Sequence, residues 1–218
     1  PVAAVAATSA AIAMDAGYLI DVDYEVLDPV VDIGKALQDD VIIHEGAGTN
    51  RDWHGVFEYG DVDAAFSAAA HVVRIDRLHF HRYASAPLEN NACVAEWTKQ
   101  GEINFLCNNS FPGFAVQLLA PGLKVPMEKI HMRCHDVGGS FGIKIWNYVF
   151  MAVAALASKK AGGRKVKWSE TRTEHLLSSG HGNERTFLDT EVALDKDGVI
   201  TAIRSRHIDD CGAFTRYE

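Results

Sequence analysis

The chain has 218 residues, 48% of them hydrophobic and 23% charged, and a formal net charge of −8. This length and apolar content suit one to two soluble globular units with a buried core, and the acidic balance argues against a nucleic-acid binder, which needs basic patches to neutralise phosphates. No apolar run reaches the ~20 residues that cross a bilayer, and the alanine-rich start lacks the basic stretch of a signal peptide, so a cytoplasmic location is expected.

Val2–Ala6 reads as a short strand, Thr8 as a helix N-cap, Ser9–Tyr18 as a helix and Asp21–Leu27 as a returning strand rich in β-branched and aromatic residues. Together they suggest a small βαβ remnant, the end of an α/β domain over residues 1–27. Residues 28–70 read as a linker, irregular through Pro29, Gly34 and Gly46-Ala47-Gly48, with a short helix over Asp61–Ala70. Residues 71–218 then form the first part of a second domain that mixes strands and helices, and the chain is α+β overall.

Within it His71–Tyr83 and Ala92–Thr98 look like strands, and Gly113–Ala120 is a short helix stopped at Pro121-Gly122. Lys129–His135 alternates, with Ile130, Met132 and Cys134 on one face and His131, Arg133 and His135 on the other. Asn147–Ser158 is an apolar helix ended by Gly162-Gly163, whose basic end at Lys159 and Lys160 complements the helix dipole. Lys165–Trp168 is strand-like, and Arg185–Leu194 and Val199–His207 flank Asp195-Lys196-Asp197-Gly198, a hairpin by its Asp-Gly signal.

Ten histidines invite a metal-site reading that spacing weakens. His131 and His135 would stand ~13 Å apart on one strand, and His79 and His81, at ~7 Å, have no third ligand at zinc-like spacing. Cys93, Cys107, Cys134 and Cys211 show neither C-x-x-C nor paired spacing. Buried free thiols in a reducing compartment are expected, and no iron–sulfur cluster within this chain.

The chemistry-bearing segment is Asp136-Val137-Gly138-Gly139-Ser140-Phe141-Gly142, set between a strand-like and a helix-like run. Glycine removes the Cβ wall and permits positive φ, and amides that open a following helix are unpaired donors, a setting for phosphate or a polar ring. A tight turn with no ligand remains the plain alternative. Known glycine loops are excluded by position: a dinucleotide fingerprint ending at Gly142 needs Gly at Val137, and a phosphate loop ending at Lys144 needs Gly at Ile143 and Ser or Thr at Ile145.

The run DVGGSFGIK resembles the D-[VI]-G-G-G-F-G-x-K loop of molybdenum hydroxylase large subunits, the group of xanthine dehydrogenase, aldehyde oxidase and aerobic carbon-monoxide dehydrogenase. Pro1 to Ala7 with Ile20 to Glu25 is similar to the family's P-V-A-A-V-A-A…I-x-V-D-Y-E. Pro87-Leu88-Glu89 before Cys93-Val94-Ala95 is similar to its P-[LM]-E…x-V-A strand, and Lys165-Trp168-Glu170-Thr171-Arg172 and Asp210-Gly212-Ala213-Phe214 also have counterparts. The resemblance implies a molybdenum–molybdopterin cofactor in its cytosine dinucleotide form, held around Gly138, Gly139, Ser140, Phe141 and Gly142. It further implies FAD on a medium subunit, [2Fe-2S] on a small subunit, and hydroxylation of an aldehyde or N-heterocycle, or oxidation of carbon monoxide.

The chain departs from the pattern at two places. The family's metal-facing Gln lies 26 residues before the loop Asp, a register occupied here by Ser110, so Ser110 or neighbouring Asn109 is expected to replace it. Purine hydroxylases of the family place Glu after the loop Lys; Ile145 stands there, which argues against purines. The family's base carboxylate falls beyond this chain, which therefore reads as a piece of a large subunit, inactive alone. Glu89 is expected to pair with Arg or backbone amides rather than act in catalysis, and Glu170 with Arg172 to be architectural. The competing class is a non-catalytic cofactor-binding or assembly protein derived from such a domain.

Overall fold

The computed structural model describes residues 2–179 and 182–214. In chain order the elements are α1 (Ala10–Gly17), α2 (Ile33–Ala36), α3 (Val62–Ala68), β1 (His71–Phe80), β2 (Ala92–Trp97), β3 (Ile103–Cys107), α4 (Pro112–Leu123), β4 (Ile130–Cys134), α5 (Tyr148–Lys160), β5 (Val166–Ser169), α6 (Arg172–Glu174), β6 (Glu184–Leu194) and β7 (Ile200–Asp210). Helix and strand are mixed, and the chain divides into two compact units. One joins the stretch ending at Tyr24 to the stretch from Ala84 through Ser179; the other joins Glu25–Tyr83 to the stretch from Gly182 through Phe214.

The first unit is built on a four-stranded sheet in the order β4-β3-β2-β5. β2 runs antiparallel to β3 and β5, and β4 parallel to β3, so α4 serves as the crossover that a parallel pair requires. Period-two alternation puts Cys93, Ala95 and Trp97 of β2, and Ile103, Phe105 and Cys107 of β3, on one buried face. Leu119 and Leu123 of α4 and Met151, Ala154 and Ala155 of α5 close over that face as one apolar cluster. Ser158 fastens α5 to the sheet: its Oγ accepts from the Trp97 amide at 2.8 Å and donates to the Arg164 carbonyl at 2.7 Å.

The second unit carries a three-stranded antiparallel sheet, β1-β6-β7. The β6–β7 hairpin turns where the Asp-Gly signal places it, with Asp195 Oδ1 accepting from the amides of Asp197 and Val199 and Gly198 at φ +80°. α3 is capped by Asp61, which accepts from the Ala64 amide at 2.9 Å.

Four local expectations are corrected. Val2–Ala6 and Asp21–Leu27 are not strands, because among the described residues neither finds a strand to pair with, and Val26 is 90% exposed. Ser9 rather than Thr8 caps α1, accepting from the Ile12 amide. α4 continues through Pro121 to Leu123, since a proline this near the end removes only one helical bond and Lys124 then closes the helix at φ +56°. β3, with its β-prone Ile-Asn-Phe-Leu-Cys run, went unread in the sequence although its composition carried the signal.

Candidate functional site

β4 ends at Cys134 and delivers the chain into the glycine loop. Gly139, Phe141 and Gly142 take φ of +90°, +52° and +89°, so three of four consecutive residues lie in the left-handed region that glycine favours. Gly138 is required for a different reason: a Cβ there would stand 2.6 Å from the Glu89 Cβ. The loop does not open directly onto a helix as expected. A 3-10 turn over Ile143–Ile145 intervenes, and α5 begins only at Tyr148.

Lys144 organises what surrounds the loop. Its side chain is fully buried and its Nζ donates to Glu89 Oε2 at 2.7 Å; the same oxygen accepts from the Gly138 amide at 2.7 Å. The Lys144 carbonyl accepts from Asn109 Nδ2 at 2.8 Å and from the Ser110 amide at 3.4 Å, and its amide donates to Ser140 Oγ at 3.3 Å. One residue thus ties the Pro87–Glu89 segment, the Asn109-Ser110 segment and the loop together. Burial pushes the Glu89 carboxyl up, but the hydrogen bonds from Lys144, the Gly138 amide and Asn108, with the Lys144 charge, outweigh it and hold the pKa below the usual carboxylate value.

The two residues expected to stand in for the family's Gln face different ways. Asn109 is 1% exposed, and its amide nitrogen is bonded to the Lys144 carbonyl and, at 2.7 Å, to Asn147 Oδ1, while its Oδ1 accepts from the Phe111 amide. Ser110 is exposed and lies against the loop, its Oγ 2.9 Å from Ser140 Oγ. Beneath the loop the polar chain continues from Asn147 to Asn91 and on to Glu170, whose Oε2 accepts from Asn91 Nδ2 at 2.9 Å and lies 2.9 Å from His175 Nδ1. The other ring nitrogen of His175 donates to the Ser85 carbonyl at 2.7 Å. Asn91, Asn109, Asn147, Glu170 and His175 are all buried, a satisfied network of the kind that fixes one packing.

Glu170 and Arg172 are architectural without being each other's partner: Arg172 Nη2 donates to the carbonyls of Pro87 and Leu88 at 2.7 and 3.1 Å. Sequence reasoning had Lys144 only as the last residue of the loop motif and missed Asn91, Asn147 and His175, which no local pattern marks because partners such as Asn109, Glu170 and Ser85 lie far away in the chain.

The amides of Ser140, Phe141 and Gly142 are given to no acceptor among the described residues, whereas the Gly139 amide donates to the Val137 carbonyl at 2.8 Å. The Phe141 ring is 75% exposed, and a Cβ on Gly142 would meet nothing within 4 Å. Three consecutive free donors beside an exposed ring make a cradle for an oxygen-rich, flat ligand.

The remaining candidates hold no such arrangement. His79 Nε2 meets His81 Nδ1 at 3.2 Å, and no group of three or more metal-binding side chains occurs among the described residues. No disulfide forms among the described cysteines; Cys93 and Cys107 are buried and Cys134 and Cys211 half-buried, and burial pushes the Cys93 and Cys107 thiols up to about 12. Among the described residues no helix is long and apolar enough to cross a membrane.

Comparison with known proteins matches residues 43–218 to the family described as the molybdopterin cofactor-binding domain. The chain is 32% identical over 216 residues to the gamma subunit of the 6-hydroxypseudooxynicotine dehydrogenase complex of Paenarthrobacter nicotinovorans, covering 99% of this chain and 27% of that one. It is 36% identical over 228 residues to the carbon monoxide dehydrogenase large chain of Afipia carboxidovorans, covering 98% and 28%. In structure it is similar to quinoline 2-oxidoreductase from Pseudomonas putida 86, with TM-score 0.77 and 30% identity over 95% of this chain and 26% of that one. The chain therefore spans about a quarter of the length of these relatives.

Proposed function

Because the chain belongs to the molybdopterin cofactor-binding domain family of molybdenum hydroxylase large subunits, we propose that its glycine loop is one wall of a molybdenum–pterin site. The observation that carries this is the row of free amides from Ser140 to Gly142 beside the exposed Phe141 ring. When bound, the cofactor supplies two-electron oxidation of a small molecule. The chain's own residues bind and orient it. The amides donate to oxygen acceptors, Phe141 offers an apolar edge, and Gly142 leaves the approach open. Ser110 stands beside them in the register of the family's Gln, while Asn109, Lys144 and Glu89 hold the loop from behind.

The cytosine dinucleotide form of the cofactor, an FAD-binding medium subunit and a [2Fe-2S] small subunit rest on the motif resemblance; relatives named as a complex subunit and a large chain support partner subunits in general. The division into residues 1–27, 28–70 and 71–218, a cytoplasmic location, and an aldehyde, an N-heterocycle or carbon monoxide as substrate belong to the same reading; Ile145 disfavours purines.

The test is made on the complete large subunit. Gly139→Val, placed at φ +90° and 3.1 Å from the Pro87 Cβ, should abolish molybdenum and pterin content. Phe141→Gly keeps the positive φ without strain and should lower cofactor retention while the protein stays folded. Full retention by both variants would sink the assignment. Cofactor bound without hydroxylation of any substrate by the natural assembly, coupled to a dye acceptor, would favour the non-catalytic alternative, for which Ser110 in place of Gln is the motivating residue.

A further inference from the structure

Resting on the cofactor-site reading above, we infer that Ser110 and Ser140 act as one unit: a hydroxyl pair that presents a single proton to an oxygen acceptor of the bound group, with Ser140 as the positioning residue. The two Oγ atoms are joined by one hydrogen bond of 2.9 Å, and neither hydroxyl donates to any other group among the described residues. Two protons and one bond between them leave one proton over, whichever Ser donates. Ser140 Oγ already accepts from the Lys144 amide at 3.3 Å. A hydroxyl that accepts is polarised to donate, so the chain runs from Lys144 N–H to Ser140 and from Ser140 to Ser110, and the spare proton sits on the exposed Ser110.

The origin of this chain of donors is immobile. Lys144 is fully buried, its Nζ held by Glu89 and its carbonyl by Asn109 and Ser110. The pair also lies on the residue that begins the row of free amides, Ser140 to Gly142. The spare hydroxyl proton and the neighbouring amides are all donors, which favours an anionic or strongly accepting oxygen. Ser140 is absent from the residues with positive φ, so its backbone demands no particular side chain and Ala or Gly would fit there. What Ser adds at this position is an acceptor for the Lys144 amide and the contact to Ser110. Ser110 stands in the register of the motif's Gln and Ser140 at its third Gly, and the two touch one another.

The experiment uses the complete large subunit purified with its cofactor, carrying Ser110→Ala, Ser140→Ala, Ser140→Gly, Ser110→Thr or the double Ala substitution. Loss of molybdenum and pterin after dilution is followed by metal analysis and by fluorescence of the oxidised pterin, with the thermal midpoint as the folding control. Each removal of a hydroxyl should speed cofactor loss about five- to tenfold, the effect of one hydrogen bond. The double variant should be no faster than the faster single, because either change breaks the same unit, and Ser110→Thr should hold the parental rate. Ser110→Ala acting while Ser140→Ala and Ser140→Gly do not, additive effects in the double variant, or parental rates throughout would each overturn the inference. If these variants are silent while Gly139→Val and Phe141→Gly lose cofactor, the pair fails and the site stands; if those also retain it, the site itself fails.

Discussion

The two sheets differ in what they bury. In β2 and β3 every second residue is inside, covered by α4 and α5, and a buried polar network runs on beneath the glycine loop. The β1-β6-β7 sheet has longer strands and an extended antiparallel register, yet along all of β1 only His79 is even half-buried, and β7 buries nothing fully. Backbone pairing makes a sheet; a core needs a second layer pressed on its face. The candidate site belongs to the sheet that has that layer, and two of the groups that hold its loop, Lys144 and Asn109, are shielded from water.

The contrast can be broken at four levels, beginning with the largest. His175→Ala would take one hydrogen-bonding partner from the fully buried Glu170 carboxylate, leaving Asn91, and should cost about 3–5 kcal/mol, read from the urea midpoint of the purified protein. Arg74→Ala cuts an ion pair of similar length in the other sheet, but the Arg74 side chain is 73% exposed, and the cost should stay below ~1 kcal/mol. Equal losses would erase the distinction.

Next, Ile103→Ala in β3 should cost about 2–5 kcal/mol, while Ile203→Ala in β7, where the residue is 57% exposed, should change stability by no more than about 0.5 kcal/mol. Within the loop, Gly138→Ala forces a Cβ against Glu89 and should cost about 1–3 kcal/mol, more than Gly142→Ala, whose only penalty is its positive φ. A reversed order would show that the loop is not anchored through Glu89.

The smallest effect is in pH. Glu89 has a lowered folded pKa, so its contribution is full above its unfolded value of about 4.3 and is lost as the pH falls through the folded value. Glu89→Gln should flatten the acid side of the stability profile in that window and leave the slope near neutrality unchanged. The change should be slight, because the carboxylate is 43% exposed and water screens it. An acid limb that does not move would mean the Lys144 contact carries no charge-dependent stability.

Much of the fold was legible from neighbours in the chain. The Asp195 turn, the alternation of β4, the apolar helix before Gly162 and the loop of mixed left-handed residues all depend on contacts within a few positions, and those are written locally. The same holds for the motif strings that marked the family. Val2–Ala6 and Asp21–Leu27 carried strand composition and still formed no strand, because a strand exists only with a partner. Pro121 read as a stop, but tolerance of a proline depends on how many helical bonds follow it.

By itself the sequence determined which residue types stand at the loop, that glycine permits its backbone, and which family it resembles. The tertiary structure alone decided that Asn109 turns inward while Ser110 faces the loop, that a lysine beside a glycine loop is fully buried, and that Glu89 meets its amide and its cation together. These outcomes depend on partners 30 to 55 positions away in the chain. A side chain's role is set by the groups that desolvate and hydrogen-bond it, and those arrive only when distant segments pack.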